Sequence, residues 1–157
     1  VDDKAGKVLI VISAPYRVQE ERELGFRRVL RSDFTHLEID DRVNSNDDAD
    51  YSYRNVMQYL RTHGAPLGIY NVAGGNLGIG RALEASGLAG KTVFIGHELN
   101  ANSRTLLETG LMDIVIGHDV DHEVALAVKA IEAAWNGLPL PAGSTEIKVH
   151  TKFNCIW

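Results

Sequence analysis

The sequence has few of the features that mark disulfide-bonded, membrane-spanning or nucleic-acid-binding proteins. Its single cysteine, Cys155, excludes an internal disulfide and a multi-cysteine zinc site. Its longest apolar run, VLIVIS, is far shorter than the roughly 20 residues that a membrane-spanning helix needs. The net charge of −5 leaves no basic footprint for nucleic acid. What remains is a chain of 157 residues, 45% of them hydrophobic, which is enough for one globular domain with a substantial core.

The beginning of the chain lacks both a methionine and a secretory signal. We therefore expect Val1 to be a processing site or the boundary of a longer chain. The absence of a signal sequence therefore does not indicate in which cellular compartment the protein works.

Apolar runs of strand length alternate with amphipathic stretches along most of the chain. The run Lys7–Ser13 is rich in β-branched residues, as is typical of a strand buried on both faces of a parallel sheet. Further strands are predicted in HLEIDD, PLGIYNV, KTVFIG and MDIVIG, and helices in 17–32, 44–64, 77–86, 102–109 and 120–136. After Gly137, LPLPAGS is a predicted linker and EIKVHTKFN a predicted strand. This alternation predicts an α/β fold, a three-layer sandwich with a mostly parallel central sheet.

A glycine-rich stretch, NVAGGNLGIGRAL, raises the possibility of an enzyme. Gly74, Gly78 and Gly80 have the G-x-x-x-G-x-G spacing of short-chain dehydrogenases, in which such a turn binds the cofactor's pyrophosphate. However, the stretch follows the third predicted strand rather than the first, and no tyrosine has a lysine four residues later. A nucleotide-dependent oxidoreductase is therefore disfavoured. Close helix–sheet packing is the favoured role of these glycines, and nucleotide binding alone stays open.

Polar side chains follow several of the predicted strands, where open α/β sheets bind their ligands. The candidates are Tyr16, Arg22, Asn71, His97, Glu98 and His118. A guanidinium, an amide and a carboxylate suit a polyhydroxylated ligand, because adjacent hydroxyls both donate and accept hydrogen bonds. An aromatic ring such as that of Tyr16 would stack on the sugar.

Several of these residues also have a purely structural alternative. Arg22 could be solvated or bonded to Gln19, Asn71 could cap the following turn, and Glu98 could cap the helix that begins near Asn102. His97 and His118 lack the spacing of a metal-binding pair, and no nucleophile elbow of the G-x-S-x-G type is present. We therefore predict no metal, no cofactor and no catalysis.

Two segments resemble a known family. EERELGFRRVL, and the stretch from GIYNVAGG to VIGHD, resemble the effector-binding domain of lac repressor family regulators, whose fold also occurs in periplasmic sugar-binding proteins of the ribose-binding type. The resemblance runs from about Lys7 to Asn136 and is strongest from Gly68 to Asp119. It depends on R-x-x-G-F in the first helix, on a strand ending in asparagine, and on IGHEL where the family commonly has G-[FYH]-D/E.

The resemblance implies roles for four of the candidates. Arg22 matches an arginine that reaches the sugar hydroxyls, and Asn71 matches an asparagine that also binds the sugar. Glu98 takes the place of a usual aspartate that accepts hydrogen bonds from hydroxyls. His118 takes the place of a glutamine where the chain crosses between lobes. These two departures change side-chain reach and hydrogen-bond polarity, so the identity of the sugar does not transfer.

The resemblance also implies a protein with two lobes. Residues 1–137 would be the C-terminal lobe, with 118–137 crossing to the other lobe, and 138–157 would be a linker and a returning strand. The expected function is effector sensing, for a sugar or polyol, by a cytoplasmic homodimeric regulator. That regulator would bind DNA only through a headpiece absent from this chain. The alternative is a periplasmic sugar-binding protein of an ABC transporter.

One further expectation concerns the predicted helix 120–136. An apolar stripe on it comprises Val124, Val128, Ile131 and Trp135. Because large exposed apolar patches are rare, we expect this stripe to be buried against the chain's own sheet or against another copy.

Overall fold

The computed structural model describes residues 4–155, apart from the side chain of Arg42. Residues 1–3, at the start of the predicted lobe 1–137, lie outside the described residues. So do residues 156–157, at the end of the predicted linker and returning strand 138–157. In chain order the elements are β1 (Gly6–Ile12), α1 (Arg17–Asp33), β2 (Leu37–Asn44), α2 (Ala49–His63), β3 (Gly68–Asn71), α3 (Asn76–Ala85), β4 (Val93–His97), α4 (Ala101–Glu108), β5 (Ile114–His118), α5 (Val120–Trp135) and β6 (Ile147–His150).

All six strands belong to one sheet, in the order β2-β1-β3-β4-β5-β6. The first five strands along the chain pair in parallel, and β6 pairs antiparallel to β5. Helices lie on both faces of the sheet, so the predicted α/β sandwich with a mostly parallel sheet is confirmed. Every predicted strand and helix is present, but β2 extends three residues further than HLEIDD, to Asn44, and β6 covers only Ile147–His150 of EIKVHTKFN.

The main hydrophobic core lies between the sheet and α2, α3 and α4. It contains alternate residues of β1, Leu9 and Val11, together with Phe94 of β4. A Cβ atom at Gly78 of α3 would overlap the backbone carbonyl of Ala49 in α2, and one at Gly80 would overlap the Leu106 side chain. These two glycines therefore allow close helix packing, as the sequence favours.

The other face of the sheet is only partly covered. Helix α1 packs there, with the Phe26 ring stacked on Tyr70 of β3 at a centroid distance of 4.2 Å. Beside α1 lies an open apolar groove of about 440 Å³, bordered by Leu30 of α1, Ile69 of β3 and Ile95 of β4.

Helix α5 has no buried residue, so the expectation that its apolar stripe is buried against the chain's own sheet is wrong, whereas burial against another copy stays a prediction. The exposed fraction reaches 66% for Ile131 and 90% for Trp135. The reason lies in the direction of β6. His118, at the end of β5, pairs with Ile147, at the start of β6, so the chain between them leaves and re-enters the sheet at the same edge. Within residues 4–155, no helix is long and apolar enough to cross a membrane.

Candidate functional site

An open cavity of about 340 Å³ lies at the carboxyl edge of the sheet, where ligands of α/β sheets bind. Its walls come from α1, from the loops that follow β2, β3 and β4, and from the first residues of α2, α3 and α4. The side chains and backbone that line it belong to Gln19, Arg22, Asp47, Ala49, Ala73, Gly74, Gly75, Asn76, Leu77, His97, Glu98, Asn100 and Asn102. The lining is largely polar, and most of its members can donate or accept hydrogen bonds.

Arg22 crosses from α1 to the loop after β4. Its Nη2 donates to Oε1 of Glu98 at 2.8 Å, and its Nη1 donates to the Val72 carbonyl at 3.2 Å. Only 17% of the Arg22 side chain is exposed. The alternatives of a solvated Arg22 or one bonded to Gln19 are therefore not observed. The guanidinium instead joins two strand ends at the wall of the cavity.

Glu98 has a left-handed backbone, with φ at 68°, which non-glycine residues rarely adopt. Such a conformation costs on the order of 1–3 kcal/mol and is frequent at functional sites. Glu98 does not cap α4, because the Asn100 side chain does so in a capping box with Ser103. The Glu98 carboxylate is therefore available at the cavity wall.

Asn71 is fully buried at the end of β3 and does not line the cavity. Its amide nitrogen lies 3.0 and 2.9 Å from the carbonyl oxygens of Ala73 and Gly74, and 2.7 Å from Oδ1 of Asn76. Because an amide has only two N–H groups, these contacts leave no donor for a ligand. The geometry favours the capping alternative, in which Asn71 fixes the loop after β3.

Asn76 extends this network to β4. Its Nδ2 donates to the backbone carbonyl of His97 at 3.0 Å, and Gly96 has no room for a Cβ beside Oδ1 of Asn76. The two asparagines therefore hold the ends of β3 and β4 in a fixed relation beneath the cavity.

His97 lines the cavity and is 95% buried, with 5% of its surface exposed. Its Nε2 lies 2.8 Å from the hydroxyl of Tyr70, while its Nδ1 has no partner among residues 4–155. Burial, with a smaller effect of the nearby Arg22 and His118, lowers the pKa of His97 to about 3. Burial also raises the pKa of Tyr70 to about 12. Both side chains are therefore neutral at neutral pH.

The remaining two candidates lie outside the cavity. His118 ends β5, and its Nδ1 is 3.3 Å from a carboxylate oxygen of Glu123 in α5. Tyr16 precedes α1 and is 60% exposed. The structure thus brings together Arg22, His97 and Glu98.

Asp47 and Asn76 are among the cavity residues that are not candidates in the sequence. Asp47 follows β2 with φ at 51°, and its Oδ1 accepts a hydrogen bond from the Gly74 N–H at 2.6 Å. The available signal was the asparagine- and aspartate-rich run 44–48, typical of a loop that uses left-handed backbone. For Asn76, the signal was its position just inside the helix that follows Asn71.

The donors and acceptors of the cavity suit hydroxyl groups rather than a metal ion. Among the side chains of the described residues, no group of three or more His, Cys, Asp or Glu could hold a metal. Guanidinium, amide and carboxylate groups are instead mixed around the opening, which is the set that vicinal hydroxyls can satisfy.

Comparison with known proteins identifies the family of this fold. A family profile described as a periplasmic binding protein domain matches residues 1–139. The chain belongs to this family. No curated protein matches the sequence.

Solved structures share the fold of this periplasmic binding protein domain at low sequence identity. A sugar-binding protein of a sugar ABC transporter from Bacillus halodurans has a TM-score of 0.87 and 19% identity, over 96% of this chain and 57% of that one. A solute-binding protein from Actinobacillus succinogenes with bound D-allose has a TM-score of 0.83 and 20% identity, over 96% and 54%. Another from Bacillus halodurans with bound myo-inositol has a TM-score of 0.84 and 19% identity, over 96% and 53%. The chain thus spans little more than half the length of these proteins.

Proposed function

We propose that this chain is one lobe of a two-lobe protein that binds a sugar or polyol. The observation that supports the proposal most directly is the Arg22–Glu98 pair at the wall of the carboxyl-edge cavity. The guanidinium donates hydrogen bonds and the carboxylate accepts them, so one vicinal diol can bind both. The solved structures with bound D-allose and myo-inositol support this class of ligand.

The proposal assigns the ligand contacts residue by residue. Arg22, Glu98 and His97 contact the ligand directly. Asn71 positions the loop after β3 that lines the cavity. The role of Asn71 as a sugar ligand, which the resemblance implies, remains a prediction. Tyr16 and His118 lie outside the cavity, and their roles as ligand residues remain predictions. No catalytic step, metal or cofactor is part of the proposal.

Helix α5 is the part of this lobe that would contact the second lobe. Its apolar stripe is exposed, and the segment that carries it begins and ends at the edge where the cavity opens. Residues 118–137 would then be the crossing segment and 138–157 the linker and returning strand. This arrangement accounts for an apolar helix surface that no part of the described chain covers.

Two biological roles are compatible with a sugar-binding lobe. The solved structures favour a periplasmic binding protein that delivers sugar to a transporter. The motifs R-x-x-G-F and IGHEL favour the effector domain of a lac repressor family regulator, a cytoplasmic homodimer with a separate DNA-binding headpiece. The gene upstream of the codon for Val1 distinguishes them. A helix-turn-helix followed by an α/β lobe supports the regulator, and a signal peptide before that lobe supports the transport protein.

Ligand binding is tested by thermal unfolding of the intact protein with D-allose, D-tagatose, D-arabinose and myo-inositol. A sugar at about 100 times its Kd stabilises the folded state by about 2.7 kcal/mol, which raises Tm by several degrees. The Arg22→Ala variant should lose this shift. The matched control is Arg81→Ala, which removes an exposed arginine paired with Asp50 outside the cavity. Equal shifts in both variants would contradict the assignment of Arg22.

A further inference from the structure

The ionisable side chains that line the carboxyl-edge cavity carry more negative than positive charge. Arg22 is the cation of the described lining, and Asp47 and Glu98 are its anions. His97 adds no charge at neutral pH, because burial lowers its pKa to about 3. The positive charge of Arg22 is moreover already paired with the Glu98 carboxylate at 2.8 Å. An acidic group on a ligand would therefore meet a cavity wall that is negative overall.

In each of the two carboxylates, one oxygen accepts a hydrogen bond from the protein. Oδ1 of Asp47 accepts the hydrogen bond from the Gly74 N–H, and Oε1 of Glu98 accepts the one from Arg22. The second oxygen of each has no hydrogen-bond partner within the described part of the chain. An ionised carboxylate oxygen can only accept, so these two positions call for ligand groups that donate.

The same wall also limits where an anion could bind. The first turn of α3 borders the cavity at Asn76 and Leu77, and a helix N-terminus attracts negative charge. The Asp47 carboxylate, however, already lies against the N–H of Gly74, immediately before the N-cap Gly75. The position at which a phosphate or carboxylate would gain most is therefore already next to a protein anion.

We propose that Asp47 contacts the ligand and, together with Glu98, selects uncharged sugars or polyols over their acidic counterparts. This inference rests on the proposed function, because it names the ligand class of the same cavity. A hydroxyl donates a hydrogen bond to the free carboxylate oxygens, whereas an ionised carboxylate or phosphate group in the same position can only accept. The acid is also repelled by the unpaired negative charge of the lining.

The inference is tested by calorimetric titration of the intact protein at pH 7 with matched pairs of probes. The pairs are D-glucose and D-glucuronate, D-galactose and D-galacturonate, and myo-inositol and myo-inositol 1-phosphate. We expect the neutral member of a bound pair to bind at least tenfold more tightly than the acid. Asp47→Asn should reduce this preference by about three- to tenfold, since it removes one negative charge close to the ligand. Glu98→Gln should change the preference in the same direction and serves as a second variant should Asp47→Asn not fold.

The matched control is Asp50→Asn, which removes the same charge from the first turn of α2. Asp50 pairs with Arg81 and does not line the cavity. Its variant should keep the wild-type preference between neutral and acidic probes. Acids that bind as tightly as their neutral partners, or an equal change in Asp47→Asn and Asp50→Asn, would overturn the selection while leaving a ligand site in place. If no member of any pair binds, the proposed function itself fails.

Discussion

Arg22 and Glu98 are 76 residues apart in the chain, yet Nη2 of Arg22 donates to Oε1 of Glu98 at 2.8 Å. The pair connects α1, on one face of the sheet, with the loop that follows β4. The Glu98 side chain is 55% exposed, so the pair adds little to the stability of the fold. Its main effect is to hold a guanidinium and a carboxylate in a fixed relation at the cavity wall.

Replacing Glu98 by glutamine tests separately how much the pair contributes to ligand binding and to the stability of the fold. Loss of a charged hydrogen-bond acceptor costs about 1.5–3 kcal/mol of ligand binding, or about 10- to 100-fold in Kd. The free energy of unfolding should change by less than about 1 kcal/mol, because exposed ion pairs contribute little. Titration with a neutral sugar and urea denaturation measure the two quantities. Glu108→Gln, in an exposed ion pair with Arg104 on α4, is the control and should bind sugar normally. Unchanged sugar affinity in Glu98→Gln would remove Glu98 from the site.

Two glycine substitutions test how closely α2 and α3 pack. A Cβ at Gly78 would overlap the backbone of Ala49, whereas a Cβ at Gly25 in α1 would have no heavy atom within 4 Å. We expect Gly78→Ala to reduce the free energy of unfolding by about 1–3 kcal/mol or more, because backbone must move. Gly25→Ala should increase it by about 0.5–1 kcal/mol through helix propensity. Urea denaturation at equilibrium gives both values, and a neutral Gly78→Ala would show that the helices can separate at no cost.

The buried His97 makes stability depend on pH. Its pKa is about 3 in the folded protein against an ordinary value of 6.5, so the unfolded chain binds the proton more readily between these values. The free energy of unfolding should therefore fall as the pH is lowered from about 6.5 towards 3, with a contribution from His97 of at most about 1.4 kcal/mol per pH unit. Above pH 6.5, His97 does not contribute to the pH dependence of the free energy of unfolding.

The contribution of His97 is isolated by comparison of variants across this pH range. His97→Gln should show a shallower loss of stability than the wild type, since its side chain does not titrate. His122→Gln, which removes an exposed histidine of α5, should follow the wild-type curve. Parallel curves for the wild type and His97→Gln would contradict the burial of a neutral imidazole.

The exposed stripe of α5 should cause the 157-residue chain to self-associate when it is produced alone. Val128 and Ile131 lie in an exposed apolar surface that water disfavours. Sedimentation velocity should show association that increases with concentration, and the double variant Val128→Lys, Ile131→Lys should remain monomeric. Glu84→Lys on the exposed surface of α3 makes the same change in net charge and should associate as the wild type does. A monomeric wild-type chain would show that the stripe is tolerated in solvent.

The fold could be predicted from the sequence because its signals are local. Buried strands such as Lys7–Ser13 and helices bounded by caps and glycines each carry their own pattern. The proximity of Arg22 and Glu98 could also be predicted, because both residues follow strands whose carboxyl ends share one edge of the sheet. The role of Asp47 could not be read in this way, since several neighbouring asparagines and aspartates could equally face the cavity. Only the packing of the loops after β2 and β3 selects one of them.

The exposure of the α5 stripe within this chain could not be predicted for a different reason. A helical stripe such as Val124 and Val128 indicates that a surface favours burial, but it does not say which surface covers it. That depends on the direction in which β6 re-enters the sheet, which is a long-range property of the chain. The structural role of Asn71 depends similarly on Asn76, whose partner groups come from two different strands.

The antiparallel pairing of β5 with β6 has a mechanical consequence for α5. Two neighbouring backbone segments, joined by the Asp119–Lys148 contact of 2.7 Å, connect α5 to the sheet. Because these two segments lie side by side and are linked by backbone hydrogen bonds, α5 is tied to the sheet at two points rather than one. A second lobe attached through α5, as proposed above, would therefore be joined to this lobe by a double connection at the edge where the cavity opens.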